Sequence, residues 1–179
     1  NETVEAAIAF FDICGFTSIS EREHPDTVVK LLNKYFDLMA KEIIAQDGII
    51  DKFIGDCIMA VFKGPFHSDR AIDASLAMRS AIDALPEEHE FKPHVSIGIN
   101  CGEMVSGNIG SSTIRRLDYT VIGDTVNTAQ RIQSTAIGSQ ILISEKCYEK
   151  VKLSFQCERV GTFQLKNKAA EAMLYAVIN

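Results

Sequence analysis

No apolar run in this chain is longer than six or seven residues, against the roughly 20 that a membrane-spanning helix needs. The opening Asn1-Glu2-Thr3 carries no basic stretch leading into an apolar one, so it lacks the pattern of a secretory signal. C-x-x-C spacing is missing, and Cys14, Cys57, Cys101, Cys147 and Cys157 are odd in number. That points away from a disulfide framework or a zinc site and toward a reducing, cytoplasmic compartment. Excess positive charge is also missing. A formal net charge of −6 argues against a nucleic-acid partner, and an anionic substrate would need local cations, either metal ions or placed Lys and Arg. There is no Walker A sequence, and Gly107-Asn108-Ile109-Gly110 is too short for a dinucleotide fingerprint. P-loop NTPase and dehydrogenase chemistry are therefore disfavoured.

What is present fits one domain over residues 1–179, with 46% hydrophobic and 23% charged residues, an ordinary globular balance. There is no repeat, low-complexity tract or linker. A core-type strand begins only a few residues in, which raises the expectation of a domain cut from a longer, regulated protein. Strands are expected at Val4 to Asp12, Ile49 to Phe53, Cys57 to Phe62, His94 to Cys101, Met104 to Ile109 (split from the preceding strand by Gly102), Asp118 to Ile122 and Gln140 to Ile143. Further β segments are expected near Phe155 to Val160 and Leu174 to Ile178. Apolar positions Val28, Leu32, Tyr35, Phe36, Met39 and Ile43 repeat at helical spacing between Pro25 and Gln46. Ser68 is a candidate cap for a helix through Ala71, Met78 and Ile82, Asp124 opens another, and Ser144 a short third. Hairpins mixed with helical crossovers predict an α+β fold, a mostly antiparallel sheet with helices covering one face.

Two carboxylates stand out against this apolar background. Asp12 ends the run Ile8-Ala9-Phe10-Phe11, and Asp56 sits at the tip of a predicted hairpin, in Ile54-Gly55-Asp56. Each alone reads as a turn or cap residue. As a pair at strand rims they suit hard divalent cations and phosphate chemistry, since bare carboxylates side by side repel. Lys52, four residues before Asp56, is either a snorkelling edge lysine or a donor to a substrate acceptor atom. Asn127 and Arg131 share one helix face, either as a surface pair or as an amide and guanidinium aimed at a ribose and a phosphorane.

Five ordered stretches together carry a resemblance. They are Phe11-Asp12-Ile13-Cys14-Gly15-Phe16-Thr17, Asp51-Lys52-Phe53-Ile54-Gly55-Asp56, Val105-Ser106-Gly107-Asn108-Ile109-Gly110, the run from Tyr119 to Arg131, and Leu165-Lys166-Asn167-Lys168. In this order they resemble the catalytic domain of class III nucleotidyl cyclases, over essentially the whole chain. The resemblance implies the cyclase variant of a ferredoxin-like ββαβ/βαβ fold and a homodimer whose active sites are each shared between subunits. It implies two Mg²⁺ or Mn²⁺ ions per site, held by Asp12, Asp56 and the Ile13 carbonyl of one subunit. Lys52 and Thr120 of the other would read the purine, Asn127 would meet the ribose, and Arg131 the phosphates at the transition state. Lys166 matches a lysine for the terminal phosphates, and Arg115, with Arg116 beside it, a further phosphate ligand.

Base choice follows from hydrogen-bond chemistry. Adenine offers the N1 acceptor and an amine donor, which suit a lysine and a hydroxyl, and guanine inverts that edge. Guanylyl cyclases typically carry glutamate where this chain has Lys52, so the expected substrate is ATP and the product 3′,5′-cyclic AMP with pyrophosphate. Thr120 departs from the aspartate of many adenylyl cyclases and matches a bacterial-type and soluble subgroup. A guanylyl cyclase acting on GTP and a silent nucleotide-binding or dimerisation domain are the alternatives.

Overall fold

The computed structural model describes residues 1–113, 116–164 and 171–179. Along the chain run β1 (Glu2–Ile13), α1 (Phe16–Arg22), α2 (Pro25–Ala45), β2 (Ile49–Ile54), β3 (Cys57–Lys63), α3 (His67–Asp83), β4 (Val95–Ser111), β5 (Arg116–Ile122), α4 (Asp124–Thr135), β6 (Ile141–Ser144), α5 (Glu145–Val151), β7 (Cys157–Gln164) and β8 (Glu171–Val177). The strands form one eight-stranded sheet in the order β2-β3-β1-β4-β6-β8-β7, with β5 paired to β4. Among the described residues only β4 and β6 run parallel; the other pairings are antiparallel. The expected α+β class is what the chain adopts.

Strand β1 sits between β3 and β4 and is covered on both faces. The alternation is plain: Ala7, Ala9, Phe11 and Ile13 join the core beneath α1, α2 and α3, while Ala6, Ile8 and Phe10 pack with Val126 and Ala129 of α4. Burial on both sides is why the run from Ala6 to Phe11 is apolar throughout rather than alternating. The expectation that helices cover one face is thereby corrected, because α4 takes the opposite face from α2 and α3. On the helix-rich face Phe16, Tyr35 and Phe91 meet edge-on or tilted, with ring centroids about 6 Å apart.

Three local expectations also change. Gly102 does not split a strand. The β1 ladder continues through it from Val95 to Ser106, and its φ of +149°, a conformation open to glycine, leaves the pairing unbroken. Ser68 is not the cap of α3. That place belongs to Phe66 at φ 57°, and the Ser68 hydroxyl pairs with His67 Nδ1 at 2.9 Å. Helix α1 has no counterpart among the expected elements, because its two buried residues, Phe16 and Ile19, give too short a period to register. Ser144, by contrast, does cap α5, its hydroxyl accepting from the Cys147 amide at 3.2 Å.

The seat of α4 depends on the absence of side chain beneath it. A Cβ on Gly98 of β4 would lie 2.2 Å from the Gln133 amide nitrogen and 2.5 Å from its Cα. Flanking groups tie the helix down: Gln133 donates to Ser96 Oγ at 3.1 Å, and Asn100 Nδ2 to the Thr125 carbonyl at 3.1 Å. Gly98→Ala should therefore push α4 off the sheet and destabilise the fold by about 1–3 kcal/mol, the usual cost of overpacking. Urea unfolding monitored by circular dichroism checks this; an unchanged midpoint would contradict it.

Candidate active site

The antiparallel register decides which residues face α4. Asp12 pairs with Cys57 of β3, and Cys57 packs on the α4-side core. The last residue of the alternation that began with Ala6, Ile8 and Phe10 is thus a carboxylate, placed where the core ends. Asp56 occupies the β2–β3 turn after Gly55, whose φ is +60°. The turn is fastened to the end of β1 by the Ile13 amide, which donates to the Asp56 carbonyl at 3.2 Å. Phe16, Thr17, Gly55 and Asp56 contribute to the wall of a cavity of about 330 Å³.

These two carboxyl groups are electrostatically joined. Burial, the charge of Asp56 and a hydrogen bond to Asp56 push the Asp12 carboxyl up to about 7. The neighbouring Cys57 thiol is pushed up to about 12 by burial and by both aspartates, so it stays protonated beside them. Among the described residues no group of three or more His, Cys, Asp or Glu side chains is arranged to hold an ion. The donors at hand are oxygens, two carboxylates with the Ile13 backbone next to them. That donor set fits a hard divalent cation that completes its shell with phosphate oxygens and water.

A second group gathers at the sheet edge. Lys52 reaches the α4 face through a β-bulge: Ile50 pairs with Ala60 and Lys52 with Met59, leaving Asp51 unpaired between them. Ala60 belongs to the core under α2 and Met59 to the core under α4, so the extra residue turns the strand over and re-aims Lys52. The Asp51 side chain is only 5% exposed and lies 3.6 Å from the Lys52 ammonium. Thr120 of β5, itself buried, donates its hydroxyl to both Asp51 oxygens, at 2.7 and 2.8 Å. Beside them lies a cavity of about 390 Å³ lined by Asp51, Lys52, Phe53, Leu117, Asp118 and Tyr119. The Tyr119 wall is braced, its hydroxyl accepting from Ser106 Oγ at 3.0 Å and its ring lying 5.8 Å from the Lys63 ammonium.

Asn127 and Arg131 form the third group. Their helix buries Val126, Ala129 and Ile132, which leaves Asn127 exposed and Arg131 half-buried one turn further along. The structure thus brings Asp12 to Asp56, Lys52 to Thr120, and Asn127 onto the face of Arg131. The bonded cluster around Thr120 is Asp51 and Lys52, not the aspartate pair. Lys166 and Arg115 lie outside the described residues. Asp51 was not among the expected site residues; its signal was an acid beside a lysine inside an otherwise apolar strand.

Residues 1–179 match the adenylate and guanylate cyclase catalytic domain family. The adenylate cyclase of Anabaena cylindrica is 39% identical over 94% of this chain, and the chain spans only 34% of that protein. The adenylyl cyclase CyaB from P. aeruginosa superposes with a TM-score of 0.90 at 30% identity, covering 99% of this chain and 95% of that one. The guanylate cyclase domain of RhGC from Catenaria anguillulae, solved in complex with GTP, superposes at 0.91 with 27% identity, covering 99% and 98%. With the family matched from end to end and the fold shared, the chain belongs to the adenylate and guanylate cyclase catalytic domain family.

Proposed function

We propose that this domain is an adenylyl cyclase, converting ATP to 3′,5′-cyclic AMP and pyrophosphate. The observation that carries the choice of ATP is the Lys52 ammonium set beside the Thr120 hydroxyl through Asp51. Lysine can only donate, which suits adenine N1, and the threonine oxygen can accept from the 6-amino group. Guanine offers N1–H and O6 at the same places, so donor would meet donor and acceptor would meet acceptor. The 39% identity to a protein named adenylate cyclase supports the same choice.

Asp12, Asp56 and the Ile13 carbonyl would hold two Mg²⁺ or Mn²⁺ ions per site. Bound there, the ions would lower the pKa of the ribose 3′-hydroxyl and neutralise the triphosphate oxygens. In the reaction the 3′-oxygen forms a bond to the α-phosphorus, the bond from that phosphorus to the bridging oxygen of the β-phosphate breaks, and pyrophosphate leaves. The hydroxyl proton passes to solvent. Asn127 holds the ribose in line, and the Arg131 guanidinium meets the charge that builds on the α-phosphoryl oxygens. Lys166 would hold the terminal phosphates, with Arg115 as a further ligand.

The site is shared in a homodimer, with the aspartates from one subunit and Lys52, Thr120, Asn127 and Arg131 from the other. Support comes from the surface around Lys52 and Thr120, where Phe53, Leu117, Tyr119 and Ile122 are large apolar side chains left exposed. The greater length of the Anabaena relative supports a regulatory part elsewhere in the full-length protein. No helix among the described residues is long and apolar enough to cross a membrane. A guanylyl cyclase reading is favoured by the overlay on the GTP complex. Chromatographic assay of cyclic AMP and cyclic GMP from equal ATP and GTP decides between them: cyclic AMP should dominate, and dominant cyclic GMP would sink the ATP assignment.

Sharing has its own test. Asp12→Asn and Arg131→Ala should each lose nearly all turnover, and mixing them should restore up to about a quarter of wild-type activity, because one site in a heterodimer regains both sets of groups. No recovery despite demonstrated subunit exchange would count against a shared site.

Metal binding can be read without turnover. A group whose folded pKa is raised contributes stability that is fully present below its unfolded value near 3.8 and lost as pH rises through about 7. Metal-free Asp12→Asn should accordingly melt higher than wild type at pH 8, with the gap closing toward pH 4. Added Mn²⁺ should raise the melting temperature of wild type and leave that of the variant nearly unmoved. Equal Mn²⁺ shifts in both would remove Asp12 from the ion site.

A further inference from the structure

We propose that Asp51 is the residue that makes the purine pocket select adenine, by fixing the direction of the Thr120 hydroxyl proton. The inference rests on the adenylyl cyclase reading above and assigns a positioning role to a residue that acts through Thr120 and Lys52. Threonine is ambiguous by itself, since its hydroxyl can donate or accept. Here that ambiguity is removed. The Thr120 oxygen lies 2.7 and 2.8 Å from the two Asp51 carboxylate oxygens, and a carboxylate has no proton to give. The single hydroxyl proton therefore points at Asp51 whichever oxygen receives it. What Thr120 turns toward a base is lone pairs only.

The same carboxylate orients the other half of the reader. Asp51 Oδ1 lies 3.6 Å from the Lys52 ammonium, which holds the donor beside the acceptor. A carboxylate whose side chain is 5% exposed must be paired to be tolerated, and Thr120 and Lys52 are its partners. The β-bulge that leaves Asp51 unpaired in the ladder also turns Lys52 toward the α4 face. One inserted residue thus supplies the bend, the counter-charge and the proton acceptor. The resulting pattern, donor from Lys52 and acceptor from Thr120, matches N1 and the 6-amino group of adenine and opposes N1–H and O6 of guanine. A buried edge presented with the wrong polarity is rejected strongly, because its groups stay unpaired.

Replacing Asp51 by asparagine tests this. Lys52 repels the new amide group and keeps the amide oxygen on its own side, so the amide donates to Thr120 and frees the hydroxyl proton to face the base. Steady-state kcat/KM is measured for ATP and for GTP on wild type, Asp51→Asn, Thr120→Val and the double variant, with thermal melts to verify folding. The expected result is a fall of about tenfold or more in the ATP:GTP ratio for Asp51→Asn, and no further fall when Asp51→Asn is added to Thr120→Val. A merely structural role would lower both substrates together and leave the ratio unchanged; that outcome overturns the proposal. So does an equal effect of Asp51→Asn with and without the threonine hydroxyl. If Asp51→Asn does not fold, Asp51→Ser serves with the same expectation, since its hydroxyl can donate to Thr120. A wild-type enzyme that prefers GTP would fail the ATP reading itself, whereas an ATP-preferring wild type with an unmoved ratio in the variants fails only the role of Asp51.

Discussion

The enclosure of β1 is the constraint on which the rest of the molecule depends. It lies between β3 and β4 within the sheet and under helices on both faces, so every position from Ala6 to Phe11 must be apolar. A charged side chain becomes tolerable only where the helices stop covering the strand. Asp12 takes that first half-exposed position, and the Asp56 turn is pinned to the same strand end through the Ile13 amide. The carboxylate pair is therefore a product of how the core terminates, with its mutual repulsion held in place by the stability of the sheet around it.

The group around Asp51 obeys a different rule. Its position comes from a fault in the strand ladder, since regular pairing would have kept Lys52 on the same side as Ile50, beneath α2. The bulge at Asp51 exchanges one ladder position for a change of face. Inserting a buried carboxylate there is tolerable because a lysine and a threonine hydroxyl answer it.

Much of this was legible from the residues. The apolar run into Asp12 and the Gly55-Asp56 turn pointed to two carboxylates that the fold does bring together, and the period of α2 located the largest helix. Long, strongly patterned elements announce themselves because one physical rule governs many residues. What escaped was set by contacts distant in sequence. Gly102 looked like a strand end because nothing local shows that the β1 ladder runs on past it. The face chosen by α4 could not be read from a helix whose partner strand was already apolar on both sides. Asp51 escaped because a bulge is defined by its partner strand, and the hydroxyl that gives the carboxylate its meaning lies 69 residues away.

The contact of α4 with Gly98 has a mechanical consequence. At Gly98 the Gln133 backbone rests on the strand with no intervening side chain, so at this one seat there is no layer of rotamers in which the helix could slip, whereas Val126 and Ala129 meet β1 through side chains. Side-chain contacts deform by hopping between wells, but a backbone-to-backbone seat offers no such intermediate stops. Helix and strand are thereby coupled at this seat, so a displacement of the α4 turn that carries Arg131 should draw β4 with it.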